Sequence, residues 1–596
     1  MKRIGFALLA CCIPVLMLGL AEGVLRWAGV GSGAQEPFVP VPGHADYEML
    51  NPAFFGRYFN DTFVPEVAYE PFLRDKPTDV FRVVVLGGSS VAGFPYRFYL
   101  GFPAWLRHRL ETSGQRVEVI NVGITAANSF TFWDLREEVA ARRPDVVLIY
   151  AGHNEYYGAL GAGSSINVPG NALWLKRLVL RLKRLVLYRT LERGLRKLLP
   201  EGRGDGRTLM ARMIREAGIA YESEPYRAGI EQFERNMREV LATFRAAGIP
   251  VFMGTLVSNL KDQSPLGEDP EALAAYEEAQ TLLDQGDTTA AYRAFLRAKE
   301  LDPIRFRAPE AINTVIRRFA DEGLVTLVDL EAVVQAHTPE GIGDEWFFAD
   351  HLHPNLVGYR AVAEAFFEAL RRASLIPEPV VRPVRDEEVM PADLRQDDRW
   401  REAYIWLDRQ LADPFERLYA HLQVFSLRAG YPFTRGDPDL ERIKLEQMLA
   451  RVRHSRSYLD VLTYQTLVRE RTADEAITLA LPAARARGDT LYALQLYRSA
   501  LAWQPFDPAL HREAAGYARA VAQRQRRYVP LAEQILWRTV HLGHNPGGLT
   551  VLAALRRQYG DEAAARVLTD LARQQEKVTN ASGGQPVRPV PANLRD

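Results

Sequence analysis

The sequence has almost no cysteine and no excess of charge of either sign. Cys11 and Cys12 are the only cysteines in 596 residues, which excludes a disulfide framework and a Cys-rich zinc site. Acidic and basic residues balance at 74 each, so the overall basic character of many nucleic-acid-binding proteins is missing. Hydrophobic residues make up 47% and charged residues 25%, which excludes wholesale disorder, a collagen and a polytopic membrane protein. A chain of this composition and length is globular, with about three or four domains.

Residues 1–30 have the pattern of an export signal. Lys2 and Arg3 precede an uncharged run, Ile4–Ala21. Small residues at the end of this run would permit cleavage after Ala21, but apolar residues continue to Val30 and favour an uncleaved signal-anchor. The basic residues would then stay on the cytoplasmic side. We therefore expect a single-pass cell-membrane protein whose bulk is exported, either periplasmic or extracellular.

Short apolar runs alternate with helical patterns between residues 79 and 374. Continuous β-branched runs of this kind are typical of strands that are buried on both faces of a parallel sheet. The predicted strands are Phe81–Leu86, Val117–Val122, Val146–Tyr150, Val251–Leu256 and Leu324–Leu330. The predicted helices between them are Pro103–Thr112, Trp133–Arg142 and Arg227–Ala247. The alternation predicts an α/β layered domain with a parallel sheet.

Two stretches interrupt the alternation. Residues 171–199 carry nine Lys or Arg and one Glu, with apolar residues at helical spacing. This basic amphipathic helix either packs on the domain or contacts a membrane surface. Residues 270–305 contain Gly286-Asp287 and small and bulky residues at the spacing of a tetratricopeptide repeat, which cannot form a solenoid alone.

The last third of the chain is helical by period. Gly488-Asp489 and, more loosely, Gly560-Asp561 repeat the spacing of the insertion, so a tetratricopeptide-like array or a generic helical bundle fits. Together these patterns divide the chain into a signal-anchor or signal peptide (1–30), a tether and entry segment (31–78, with the Pro- and Gly-rich residues 35–46 as the tether), the α/β domain (79–374), a linker (375–398), a helical domain (399–577) and a disordered tail (578–596).

Four short polar segments carry residues suited to catalysis, and three of them directly follow a predicted strand. They are Gly87-Gly88-Ser89-Ser90, Asn121-Val122-Gly123, Gly152-His153-Asn154-Glu155 and Asp350-His351-Leu352-His353-Pro354. The carboxyl ends of parallel strands are where α/β sheets bind ligands. A serine nucleophile needs a base, a carboxylate that orients the base, and donors for an oxyanion. Each segment taken alone also fits an ordinary turn, and Asp350, His351 and His353 could alternatively ligate a metal.

In this order, the four segments resemble the SGNH (GDSL) hydrolase family. The residues of the family name match Ser89, Gly123, Asn154 and His353, over about residues 79–373. The usual Gly-Asp-Ser at the nucleophile is Gly87-Gly88-Ser89 here, which leaves Ser90 as a rival. The resemblance implies a three-layer flavodoxin-like fold, followed here by the helical domain.

The resemblance also implies the site. Ser89 would attack a carbonyl, His353 would take and return its proton, and Asp350 would orient His353. The oxyanion would be held by the Ser89 and Gly123 N–H groups and the Asn154 side chain. No metal or organic cofactor is required.

The predicted function is ester hydrolysis, with deacetylation as one form of it, on a glycan or lipid of the cell envelope. Alginate O-acetyltransferases place the Asp-His pair before the serine, whereas here it follows, which favours a hydrolase over an O-acyltransferase acting on polysaccharide. Two other classes stay open: a non-enzymatic scaffold with a relic hydrolase domain, and a lipase-like enzyme whose basic helix is a membrane-facing lid. The expected partners are the ester substrate, the membrane through the N-terminal helix, and a protein bound by the helical domain, with no nucleic acid.

Overall fold

The chain begins with a long helix and a small antiparallel sheet. The computed structural model describes residues 2–59, 63–112, 116–164, 172–197, 218–376, 381–395, 399–429, 438–543 and 547–581. Helix α1 covers Lys2–Trp27. Strand β2 (His44–Leu50) pairs antiparallel with β1 (Phe38–Val41) and with β3 (Phe72–Leu73).

In the described part of the chain, no helix combines the length and apolar character that crossing a bilayer requires. The anchor expected at residues 1–30 therefore stays a prediction.

The described residues of 31–78 are folded onto the α/β domain, which corrects the prediction of a tether there. Helix α2 (Pro52–Phe55) and the turn after it bury four aromatic side chains. Arg57 in that turn pairs with the buried carboxylate of Asp134. Gly43 lies in the turn between β1 and β2, where its φ of 78° is in the left-handed region that favours glycine.

Five parallel strands form the central sheet, as predicted. They are β4 (Val80–Gly87), β5 (Arg116–Gly123), β6 (Val146–Tyr150), β7 (Val251–Gly254) and β8 (Thr326–Val328). The order in the sheet is β5-β4-β6-β7-β8, the flavodoxin-like order of a doubly wound domain. Its switch point lies between β4 and β6, so residues that follow these strands border the crevice where such sheets bind ligands.

Helices and turns follow the strands on both sides of the sheet. Those of the α/β domain are α3 (Ser89–Ala92), α4 (Phe102–Glu111), α5 (Ser129–Ala141), α6 (Leu173–Leu182), α7 (Val186–Lys197), α8 (Glu224–Ala246), α9 (Pro270–Asp284), α10 (Thr288–Leu301), α11 (Glu310–Asp321), α12 (Leu330–His337) and α13 (Leu356–Arg372).

The basic insertion forms two helices rather than the single one predicted. Helices α6 and α7 are separated by residues 183–185, while residues 171, 198 and 199 lie outside the description. The Glu22 carboxylate on α1 accepts hydrogen bonds from the N–H groups of Val186 and Leu187, at 3.1 and 2.8 Å. This acidic cap satisfies the first N–H groups of α7 and stabilises a new helix start there.

The second insertion is the helical hairpin that its sequence indicates. Gly286 lies in the turn between α9 and α10 and has φ 82°. The Asp287 side chain then caps α10 by accepting the Ala290 N–H. The same Gly-Asp pair starts a new helix at Gly488-Asp489 and at Gly560-Asp561. The hairpin buries its apolar face against Leu260 and Ile342 of its own domain, rather than against the C-terminal helices.

In the described residues of the C-terminal region, the regular secondary structure is helical. Its helices, with a short one in the linker first, are α14 (Asp386–Val389), α15 (Trp400–Leu411), α16 (Pro414–Ala429), α17 (Pro438–Arg453), α18 (Tyr458–Leu467), α19 (Ala473–Ala486), α20 (Thr490–Trp503), α21 (Pro508–Arg524), α22 (Val529–Gly543), α23 (Gly547–Gln558) and α24 (Glu562–Ala581). The first residues of the predicted disordered tail belong to α24, and residues 582–596 lie outside the description.

Helices of the C-terminal region pack directly on the α/β domain. Arg538 on α22 pairs with Glu111 at the end of α4 at 2.9 Å, and both side chains are buried or nearly so. One continuous hydrophobic core contains residues of the central sheet and residues of α20 and α22. In the predicted linker, Val381 and Met390 are buried, so the described part of that segment is packed as well.

Candidate active site

Ser89 follows strand β4 and begins helix α3. Gly87 is required by packing, because a Cβ there would lie 2.4 Å from the Tyr150 carbonyl oxygen. A Cβ at Gly88 would lie 2.6 Å from Asn154 Nδ2, so a larger residue there would make the Asn154 side chain shift. Ser89 lines a cavity at this sheet edge, whereas Ser90 is buried and does not.

The Ser89 hydroxyl is hydrogen-bonded to His353, which comes 264 residues later in the chain. The Ser89 Oγ to His353 Nε2 distance is 2.7 Å, and the His353 Nδ1 to Asp350 Oδ2 distance is also 2.7 Å. Asp350 is fixed in turn, because its other oxygen accepts the N–H groups of Leu352 and His353. The structure thus brings the three predicted residues into a continuous hydrogen-bonded row.

The electrostatic surroundings keep Asp350 ionised. Burial acts to raise the pKa of Asp350, but the neighbouring imidazoles of His353 and His351 and the hydrogen bonds to the carboxylate outweigh it, and the pKa lies well below its usual range. A carboxylate in this state holds one tautomer of the imidazole and stabilises the imidazolium. Burial lowers the pKa of His351 to about 4, which keeps that ring neutral.

The metal alternative uses the same residues. Ligand atoms of Asp350, His351 and His353 lie within 4.8 Å of one another. Both ring nitrogens of His353 are engaged, one with Ser89 and the other with Asp350. A metal at this cluster would have to displace one of these bonds, so the geometry favours a serine nucleophile over a metal centre.

Asn154 is positioned to donate at the cavity. Its Nδ2 donates one hydrogen to the Ala127 carbonyl oxygen at 3.1 Å, which orients the amide beside Ser89 in the cavity lining. An amide nitrogen carries two hydrogens, so one is left for a ligand. Asn154 therefore stands where the sequence predicts an oxyanion donor.

Gly123 does not border the cavity in which its N–H is predicted to hold an oxyanion. Its N–H donates to the Asn121 side chain at 2.9 Å, and the residue does not line the cavity. The need for glycine here is steric, because a Cβ would lie 2.2 Å from the Ala92 backbone nitrogen. The prediction that the Gly123 N–H holds an oxyanion is corrected on these grounds.

Ala126, three residues further on, takes the position expected of Gly123. It lines the cavity beside Ser89 and has φ 60°, in the left-handed region that non-glycine residues rarely adopt. Within the described residues its N–H forms no hydrogen bond, so this group is available to a ligand. The sequence carries no signal for this role, because alanine does not indicate a left-handed backbone.

The cavity at Ser89 is small and mostly apolar. It has a volume of about 60 Å³. Its lining consists of Ser89, Phe94, Thr125, Ala126, Asn154, Phe306, His351, Leu352, His353 and Leu427. The ring of Phe94 lies 4.6 Å from that of His353. A larger cavity of about 310 Å³ lies between α4, α13 and residues 383–387, and it contains none of the residues around Ser89.

The basic insertion takes no part in this lining. Lys176 and Leu180 of α6 are buried against the domain, and Arg184 pairs with Asp134. Among the described residues of 172–197, none borders the cavity. The prediction of a lid over the serine is therefore not supported.

Comparison with known proteins gives one family match for this domain. Residues 85–361 match the model of the GDSL-like Lipase/Acylhydrolase family. No curated protein matches the chain significantly.

Three solved structures illustrate the similarity. A GDSL-like lipase from Bacteroides thetaiotaomicron is 14% identical, with 51% of this chain and 93% of that chain covered and a TM-score of 0.26. An acetyl-xylooligosaccharide esterase from Geobacillus Stearmophilus is 15% identical, with 51% and 95% covered and a TM-score of 0.27. The esterase EstA from Pseudoalteromonas is 11% identical, with 50% and 99% covered and a TM-score of 0.26.

Proposed function

We propose that this protein is a serine ester hydrolase that uses Ser89, His353 and Asp350. The observation that carries the proposal is the row of two 2.7 Å hydrogen bonds from Ser89 through His353 to Asp350, in a domain of the GDSL-like family. A serine hydroxyl becomes a nucleophile when a base oriented by a third group removes its proton.

The reaction follows from the positions of these groups. Ser89 Oγ attacks the ester carbonyl while His353 Nε2 takes the serine proton. His353 then returns that proton to the leaving alcohol, and an acyl group stays on Ser89. Water, deprotonated by His353, attacks the acyl-enzyme and releases a carboxylic acid. Asp350 remains ionised throughout and holds the imidazolium.

The oxyanion of both tetrahedral intermediates needs preorganised donors. We assign the Asn154 side chain and the N–H groups of Ala126 and Ser89. Ser89 contributes from the first turn of α3, where N–H groups lack an acceptor within the helix. Donors of this kind act most strongly in a cavity that excludes water.

Labelling with a fluorophosphonate probe, mapped by mass spectrometry on the full-length protein, tests the proposal. Labelling is expected at Ser89 and lost in Ser89→Ala, whereas Ser90→Ala labels normally. Asp350→Asn is expected to label far more slowly because the imidazole loses its orienting carboxylate. A folded protein that does not label at Ser89 would exclude the mechanism and favour the scaffold alternative.

We further propose that the substrate is an ester on an envelope glycan or lipid and that the protein is exported and held at the membrane. The proposal is supported by the basic and apolar N-terminal segment. It is also supported by exposed apolar side chains on α1, α6 and α7: Trp27 (91%), Trp174 (68%), Leu191 (62%) and Leu195 (63%). Exposed aromatic and leucine side chains on basic helices are typical of a bilayer surface contact.

Vesicle flotation of the full-length protein tests the membrane contact. Anionic vesicles are expected to bind wild type and to bind Trp174→Glu/Leu191→Glu weakly. Leu479→Glu, an exposed leucine on α19, is the control and should bind as wild type. Equal binding by all three proteins would argue against the proposed surface.

A product analysis separates hydrolysis from acyl transfer. With and without an added glycan acceptor, a hydrolase releases free acid, whereas an acyltransferase forms a new acyl ester.

A further inference from the structure

A residue from outside the hydrolase family match borders the cavity at Ser89. Leu427 lies near the end of α16 in the C-terminal helical region, well beyond residue 361 where the family match ends. Its side chain packs against a buried cluster of the α/β domain that includes Tyr156, Tyr157 and Phe306. Part of the cavity wall is therefore supplied from outside the family match.

The position of α16 is fixed at its first turn. Glu416 is fully buried, and its Oε1 accepts hydrogen bonds from Arg97 at 2.8 Å and from the Tyr99 hydroxyl at 2.5 Å. The Arg97 guanidinium also lies 3.8 Å from the ring centroid of Tyr419, one turn further along α16. A desolvated carboxylate held by an arginine and a tyrosine gives a defined geometry rather than a sliding contact.

The segment that binds the first turn of α16 directly follows α3, the helix that begins with Ser89. Phe94 and Arg97 belong to the segment directly after α3, and Phe94 packs on His353. From Glu416 the helix extends about 16 Å to Leu427 at the helical rise per residue. One end of α16 is thus bonded to the loop beside the serine, and the other end borders the cavity.

The cavity beside Ser89 is narrow and open to solvent on one side. Its volume is about 60 Å³, which holds a short hydrocarbon chain, and a longer chain would have to extend past the rim. Phe94, Phe306, Leu352 and Leu427 provide an apolar lining suited to the hydrocarbon part of an acyl group.

We propose that Leu427 forms a wall of the acyl pocket and favours short acyl esters of about two to four carbons. The inference rests on the proposed ester hydrolase function and adds its substrate class. It also gives the C-terminal region a role at the site, as the wall that determines chain length. Leu427 acts by shape alone and takes no part in proton transfer.

The test measures kcat/KM of the full-length protein on p-nitrophenyl acetate, butyrate and octanoate, which differ only in the acyl group. Wild type is expected to prefer acetate and butyrate. In Leu427→Ala, the kcat/KM for octanoate divided by that for acetate should rise by roughly tenfold or more. Each methylene that an apolar pocket accepts changes kcat/KM by about that factor. Leu427→Phe should lower the kcat/KM for butyrate relative to that for acetate.

Two controls make the outcome decisive. Phe425→Ala removes a larger side chain two residues away on α16 that does not border the cavity, and its ratio should equal that of wild type. Leu427→Val provides a milder change in the event that Leu427→Ala does not fold, and it should shift the ratio in the same direction.

The results separate this proposal from the one it rests on. Active Leu427 variants with the wild-type ratio would overturn the acyl-pocket assignment and leave the esterase intact, and so would a wild type that prefers octanoate. A folded wild type that neither hydrolyses these esters nor labels at Ser89 would overturn the esterase proposal and this one with it.

Discussion

At the scale of single residues, Asn154 combines a fixed orientation with a spare amide hydrogen. The Ala127 carbonyl holds one of its N–H groups, and a Cβ at Gly88 would collide with its Nδ2. The glycine at position 88 thus leaves the amide in its present orientation in the cavity lining.

Replacing Asn154 by alanine should reduce kcat by about 10²–10³ with a smaller change in KM, because the lost donor acts on the developing oxyanion. Steady-state kinetics on p-nitrophenyl acetate measures the effect, with Ser90→Ala as the unaffected control. A kcat within threefold of wild type would remove Asn154 from the oxyanion site.

Exchanging glycine and alanine should lower the melting temperature at position 123 but not at position 126. Gly123→Ala places a methyl group against the backbone of Ala92 and should lower the melting temperature. Ala126→Gly relieves a left-handed alanine and should keep both the melting temperature and the activity. Thermal unfolding and ester kinetics of the two variants check this; a stable Gly123→Ala that had lost activity would restore the original assignment.

The sequence predicts the serine, histidine and aspartate but not the whole site. Asp350 and His353 lie three residues apart, so their hydrogen bond is local, and Ser89 follows a strand that is readable from its apolar run. Ala126 depends on a backbone angle that alanine does not encode. Leu427 depends on packing across the chain, and no local pattern indicates it.

At the scale of elements, Glu155 links the loop after β6 to the start of α5. Its carboxylate accepts the N–H and the hydroxyl of Ser129, at 3.1 and 2.6 Å. Burial raises the pKa of Glu155 to about 7, against hydrogen bonds from Ser129 and Gln232 that lower it. Because Asn154 is the preceding residue, this buried carboxyl also fixes the loop that carries the predicted oxyanion donor.

The raised pKa of Glu155 predicts a pH-dependent stability. Between the usual value of 4.5 and about 7, the folded state keeps a proton that the unfolded state has lost. Stability from this group is therefore full below that window and is lost as the pH rises through it. Glu155→Gln has no such proton, so this group does not lower its stability as the pH rises. The melting temperature of the variant should therefore rise relative to that of wild type between pH 4.5 and about 7. A pH-independent difference would contradict the shift.

Boundaries of the elements follow the sequence where a local device sets them. The Gly-Asp pairs at 286, 488 and 560 start new helices because a left-handed glycine precedes a capping aspartate. The break between α6 and α7 has no such device in its own sequence. It coincides with a cap supplied by Glu22, from more than 160 residues away, so a continuous amphipathic pattern could not reveal it.

At the scale of the whole molecule, the α/β domain and the C-terminal helices share one core. Buried pairs cross the boundary at Arg97–Glu416 and at Glu111–Arg538. Removing one partner of a buried pair leaves an uncompensated charge, which costs about 3–5 kcal/mol. The sequence indicates two separate units with a linker, because nothing local shows that their surfaces are complementary.

The shared core predicts a single cooperative unfolding transition. Trp105 lies on α4 and Trp537 on α22, so tryptophan fluorescence reports on both parts of the core. Fluorescence and circular dichroism should give coincident melting curves, and Glu416→Ala should lower both together. Two resolved transitions, only one of them moved by Glu416→Ala, would show that the parts unfold independently.

The position of Leu427 also has a consequence in time. A ribosome synthesises the chain from its N-terminus, so Ser89, Asp350 and His353 all leave the exit tunnel before α16 does. During that interval the nascent chain holds all three residues of the row but not the helix that completes the cavity wall. The proposed acyl pocket is therefore the last part of the site to be made, and it is complete only when the C-terminal helices dock.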